Sequence, residues 1–132
     1  MRIIGMGIDV VEVERITSAI ERYGALFLNR LFTARERHYC DSRAQPPLHY
    51  AARFAAKEAV AKALGTGIGE HAGWLDLEIV NDTHGAPKLV LSGAAASFAK
   101  NLGISEIQIS LTHARQYAAA NALAIANSEN DP

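Results

Sequence analysis

The run Tyr-Ala-Ala-Arg-Phe-Ala-Ala-Lys-Glu-Ala-Val-Ala-Lys-Ala-Leu, residues 50–64, constrains this chain more than any other stretch. Alanine is the strongest helix former, and Lys, Glu and Leu follow it closely, so the run predicts one long helix. A helix that is nearly all alanine is expected to be packed rather than free in solvent. Gly65-Thr-Gly-Ile-Gly69 reads as its C-cap and exit turn. Those glycine amides could wrap a phosphate, but the C-terminal end of a helix dipole disfavours an anion.

Glu58 and Lys62 lie four residues apart on this helix, hence on one face and about 6 Å apart along the axis. Such a pair is ordinarily a surface ion pair worth a few tenths of a kcal/mol. The alanine background argues against that reading, and Arg53 and Lys57 place two more cations just before the carboxylate. A carboxylate among cations and small residues could hold a hard metal ion with a polyphosphate across it. Magnesium uses one or two carboxylates together with phosphate and water oxygens. Asp9 is the candidate second carboxylate, although no short spacing joins it to Glu58, and spacing alone favours a strand-end turn aspartate.

Asp9 sits in an expected strand, residues 3–13, with Ile4, Met6, Ile8 and Val10 on one face and Ile3, Gly5, Gly7 and Asp9 on the other. Glycines in a strand mark close approach by a ligand or another backbone, and these two leave a shallow place beside the carboxylate. Helices are expected over 13–23, 26–31 and from the capping box Thr33-Ala-Arg-Glu36 onward. Pro46-Pro47 reads as a break. In the second half, strands are expected over 75–80, 88–91, 107–111 and 117–125, with a helix over 93–102; the polar tail from Asn127 is expected to fray. Helices first and antiparallel hairpins later imply a single α+β domain over 1–132, an antiparallel sheet packed against the long helix.

The net charge of −1 argues against a nucleic-acid protein. The N-terminus does not read as a signal peptide, and no apolar run reaches the ~20 residues a membrane span needs, so a soluble cytoplasmic protein is expected. The single cysteine, Cys40, fits a reducing compartment. His113 ends a strand at the mouth of a hairpin, where a structural role and a ligand contact are both open. No His/Cys spacing suggests zinc, and neither a P-loop nor a nucleophile elbow is present. Arg15 and Arg22, one heptad apart on the first helix, are interleaved with Glu12, Glu14 and Glu21. They form either a solvated mixed face or a docking surface for an acidic partner.

Taken together, Gly5–Ile16, Phe32–Glu36, Arg53–Gly69 and Ser110–Ala120 resemble the holo-[acyl-carrier-protein] synthase family, in order and spacing, over nearly the whole chain. The turn Gly85-Ala-Pro87 resembles that family's Gly-x-Pro. The resemblance implies the 4′-phosphopantetheinyl transferase fold and a homotrimer with active sites between subunits. It implies magnesium-dependent transfer of 4′-phosphopantetheine from coenzyme A to a serine of an apo acyl carrier protein, in fatty-acid biosynthesis. By the same resemblance, Asp9 and Glu58 would bind magnesium, and Arg53, Lys62 and His113 would lie near the coenzyme A phosphates. Gly85 and Pro87 would shape the adenine end, Arg15 and Arg22 would meet the carrier, and Lys62 and Glu58 would carry the proton chemistry. Two other classes compete: a magnesium-dependent phosphohydrolase using the same carboxylates, and a non-catalytic coenzyme A or carrier-binding module.

Overall fold

A computed structural model describes residues 1–127. Strand β1 (Arg2–Glu12) is followed by helices α1 (Val13–Tyr23), α2 (Ala25–Leu31), α3 (Ala34–Asp41) and the 19-residue α4 (Pro46–Leu64). A 3-10 turn at Trp74–Asp76 then leads into β2 (Leu77–Asn81) and β3 (Pro87–Leu91). Helix α5 (Gly93–Asn101), β4 (Glu106–His113) and β5 (Tyr117–Ala126) complete the described chain. Every strand pair among the described residues is antiparallel, in one sheet of order β1-β5-β4 and a second of β2-β3. The architecture is α+β, as the pattern predicts.

Two local expectations change. Pro46-Pro47 opens α4 rather than breaking the chain before it, because a proline in the first turn removes an N–H that has no helical acceptor anyway. The strand expected from residue 75 starts at Leu77, since Leu75 and Asp76 are in the 3-10 turn. Most of the polar tail lies outside the described residues. By contrast, Gly65 caps α4 in the left-handed region at φ +83°, which satisfies the C-cap reading.

Small residues set the main packing distance. On the inner face of the sheet, Gly7, Val11, Ala118, Ala120, Ala122 and Ala124 are buried against α4, whose Ala55, Ala56, Ala59 and Ala63 are buried in turn. A Cβ on Gly5 would stand 2.0 Å from the Ala63 carbonyl oxygen, and one on Gly7 1.9 Å from that of Ala59. The room beside Asp9 that the two glycines suggest is therefore filled by the helix backbone, not left for a ligand. A backbone carbonyl cannot step aside, so Gly7→Ala should cost about 1–3 kcal/mol or more in chemical denaturation. Parental stability of that variant would mean that β1 and α4 are not so closely apposed.

The opposite face of β1 is bare. Met6, Ile8 and Val10 are 72, 72 and 63% exposed and pair across to Leu123, Asn121 and Ala119. Elsewhere the capping box forms as expected: Thr33 Oγ1 accepts from the Glu36 amide at 3.2 Å, and Glu36 Oε1 accepts from the Thr33 amide at 2.9 Å. Glu36 does more than cap. The same Oε1 accepts from Lys57 Nζ at 2.7 Å, and Oε2 accepts from the Ile79 amide at 3.0 Å. Lys57 also donates to the carbonyls of Leu31 (2.7 Å) and Trp74 (2.8 Å), which fills its three donors. Burial lowers the affinity of Lys57 for its proton, and the charge and hydrogen bond of Glu36 oppose that shift. Lys57 is wholly buried, so it is not one of the cations around Glu58 that the sequence suggests.

Candidate active site

Where β1 passes over α4, three of the expected site residues meet. Asp9 projects from the sheet's inner face, and Glu58 and Lys62 from one stripe of the helix. Lys62 Nζ reaches Asp9 Oδ1 at 3.2 Å and donates to the Ile8 carbonyl at 2.9 Å. Glu58 is half-buried. Burial first, and the negative charge of Asp9 second, push its carboxyl above the ordinary carboxylate range, with Lys62 opposing. Two carboxylates thus repel each other beside one partly exposed ammonium. Among the described residues no group of three His, Cys, Asp or Glu side chains is placed to hold an ion. A cation here would rest on two carboxylates and on oxygens from elsewhere, the pattern that suits magnesium.

Arg53 leaves α4 in another direction. It lies five positions before Glu58, so the two side chains depart about 140° apart around the axis. Arg53 is only 3% exposed. Its guanidinium lies over the Tyr39 ring, 4.2 Å from the centroid, and Nη2 donates to Asn81 Oδ1 at 2.6 Å. Asn81 in turn donates through Nδ2 to the Gly85 carbonyl at 3.0 Å. The hairpin tip is held internally as well, with Asp82 Oδ1 accepting from the amides of His84 (2.8 Å) and Ala86 (2.9 Å). Arg53 and Gly85 are therefore joined through Asn81, the last residue of β2. Pro87 is the first residue of β3. A cavity of about 470 Å³ opens beside Arg53, walled by α3 at His38 and Tyr39 and by β2 at Val80 and Asn81.

His113, at the end of β4, is exposed and packs edge-on against His49, with ring centroids 5.1 Å apart. Burial first, then His113, Arg43 and Arg53, lower the His49 pKa. Tyr39 completes the cluster, 5.9 Å from His49. His49 and Arg53 lie four apart on α4 and so share a face, but no sequence spacing links them to Tyr39 or His113, which only the fold brings there.

Residues 5–122 match the model of the 4′-phosphopantetheinyl transferase superfamily. A holo-[acyl-carrier-protein] synthase of Ruminiclostridium cellulolyticum is 50% identical over 119 residues, covering 89% of each chain. That of Protochlamydia amoebophila is 46% identical over 120 residues, 91% of this chain and 96% of the relative. The chain belongs to the holo-[acyl-carrier-protein] synthase family. It is accordingly an enzyme, a phosphopantetheinyl transferase. Among solved synthases, that of Neisseria meningitidis superposes with a TM-score of 0.88 at 31% identity, covering 94% of this chain and 99% of the other. The Helicobacter pylori synthase in complex with coenzyme A superposes at 0.82 with 30% identity, covering 91% and 99%. Family membership supports transfer of phosphopantetheine from coenzyme A to an acyl carrier protein.

The synthase fold leaves Arg15 and Arg22 exposed on α1, where Arg22 lies against the Tyr23 ring, 5.5 Å from its centroid. Tyr23 (52% exposed) and, at the start of α2, Leu26 (75% exposed) are bare as well. Cys40 is fully buried and its thiol is pushed up to about 12, chiefly by burial, so it offers no nucleophile. No described helix is long and apolar enough to cross a membrane.

Proposed function

We propose that this synthase is magnesium-dependent and works in the cytoplasm, in fatty-acid biosynthesis. It moves 4′-phosphopantetheine from coenzyme A onto a serine of apo acyl carrier protein and releases adenosine 3′,5′-bisphosphate. The convergence of Asp9, Glu58 and Lys62, far apart in sequence, carries this reading. Two apposed carboxylates, one with a raised pKa, are a donor set that a divalent cation would stabilise, so the residues fit magnesium. When bound, the ion supplies charge neutralisation across the pyrophosphate of the donor.

The remaining roles fall to the chain itself. Lys62, released from Asp9, stabilises or protonates the leaving phosphate. Glu58 accepts the serine proton, and a carboxylate's two oxygens allow it to hold a cation as well. Arg53, Lys62 and His113 bind donor phosphates, and Gly85 and Pro87 bound the adenine end. The cation site and Arg53 diverge around α4, which supports a donor bound between copies of the chain. The bare apolar outer face of β1 supports self-association, and we assign it to a homotrimer.

Incubating the protein with coenzyme A, magnesium and an apo carrier tests the function. The carrier should gain the mass of one phosphopantetheinyl group. Cleavage of coenzyme A with an unmodified carrier would instead indicate hydrolysis, and binding without either product a non-catalytic module. Carrier docking is assigned to Arg15 and Arg22, flanked by Tyr23 and Leu26. Replacing both arginines with alanine should raise KM for the carrier, more at low ionic strength than above ~0.15 M, where exposed charges are screened beyond about 8 Å. An unchanged KM in dilute buffer would remove this surface from carrier recognition.

A further inference from the structure

We infer that Asn81 is a positioning residue for the nucleotide end of the donor, acting through Arg53. The inference rests on the assignment of Arg53 to donor binding. A guanidinium can only donate, so its bond to Asn81 fixes the amide with Oδ1 toward Arg53 and Nδ2 toward the Gly85 carbonyl. One side chain therefore ties the middle of α4 to the tip of the β2-β3 hairpin. The guanidinium is held from two sides, by Tyr39 beneath its plane and by Asn81 at Nη2. Its Nε is buried and has no hydrogen-bond partner among the described residues. The side chain thus has little freedom to swing where it lines the cavity between α3 and β2. Without Asn81, Nη2 would lose its acceptor and the Gly85 end of the hairpin its link to the helix. The tip would keep its internal Asp82 contacts, so it should stay folded but no longer be registered to Arg53.

The test is a double-mutant cycle read by calorimetric affinity for coenzyme A and by steady-state kinetics. Asn81→Ala should weaken coenzyme A binding and raise its KM by about tenfold, the effect of one hydrogen bond to a charged group. KM for the carrier and kcat should move far less. Asn81→Asp keeps the acceptor for Arg53 but loses the donor to the Gly85 carbonyl, so it should recover only part of the loss. Arg53→Lys keeps charge and bulk in the buried position but loses the fork. In that background Asn81→Ala should add less than about twofold, because residues acting through one another are not additive. Equal effects of Asn81→Ala in both backgrounds, or an unchanged affinity, would overturn the inference. A purely structural role would lower kcat, both KM-dependent rates and the melting temperature together, and would also overturn it. If the parent protein neither binds coenzyme A nor modifies the carrier, the functional assignment itself falls, and this inference with it.

Discussion

Asp9→Asn and Glu58→Gln should each lower the rate of carrier modification at saturating coenzyme A by on the order of a hundred- to ten-thousand-fold. Charge neutralisation by a bound cation contributes several kcal/mol in the transition state, and each 1.36 kcal/mol is tenfold in rate. The same substitutions should leave the melting temperature unchanged or raise it. In the free protein burial first, and the charge of Asp9 second, disfavour the ionised form of Glu58, and removing either carboxylate charge relieves the repulsion between them. Loss of activity without loss of stability is the expected sign of a site assembled at some cost to the fold. The raised Glu58 pKa also sets a direction with pH. Below that value a proton occupies Glu58, so the magnesium concentration for half-maximal rate should climb as pH falls. A variant with parental rates at saturating magnesium would take the metal role from its residue.

Lys57→Met should have the largest effect on stability, about 3–5 kcal/mol in urea unfolding, because it leaves the buried Glu36 carboxylate without its counter-charge. That is a large share of the ~5–15 kcal/mol by which domains are stable. Replacing both partners, as Glu36→Leu with Lys57→Met, often rescues an isolated buried ion pair, but here it should not. The pair also satisfies the amides of Thr33 and Ile79 and the carbonyl of Leu31, and an apolar substitute strands all three, while the Trp74 carbonyl keeps only the Leu77 amide. Full recovery in the double variant would show that charge alone, rather than the backbone junction, holds α2, α3, α4 and β2 together.

These two predictions mark what the sequence makes legible and what it hides. Helix α4, its glycine cap and the Thr33 capping box follow from local propensity and short-range hydrogen bonding, so pattern reading finds them. The Glu58–Lys62 stripe is visible for the same reason, since helical spacing alone places both on one side. Its true partner is not: Lys62 reaches Asp9, and that contact spans 53 positions and depends on β1 lying against α4. Lys57 misleads because one residue along a helix turns a side chain by about 100°, enough to carry it from the site into the core. Asn81 and His49 give no signal at all, since an asparagine before an Asp-Thr-His-Gly turn and a lone histidine are unremarkable until the hairpin and β4 are folded against α4.

The most direct test of the shared cation is an anomalous difference map from crystals grown with manganese and coenzyme A. One peak between the Asp9 and Glu58 carboxylates, in contact with the donor pyrophosphate and absent from Asp9→Asn crystals, is the predicted result. A bound coenzyme A with no peak there, or with its ion held by other side chains, would contradict the assignment.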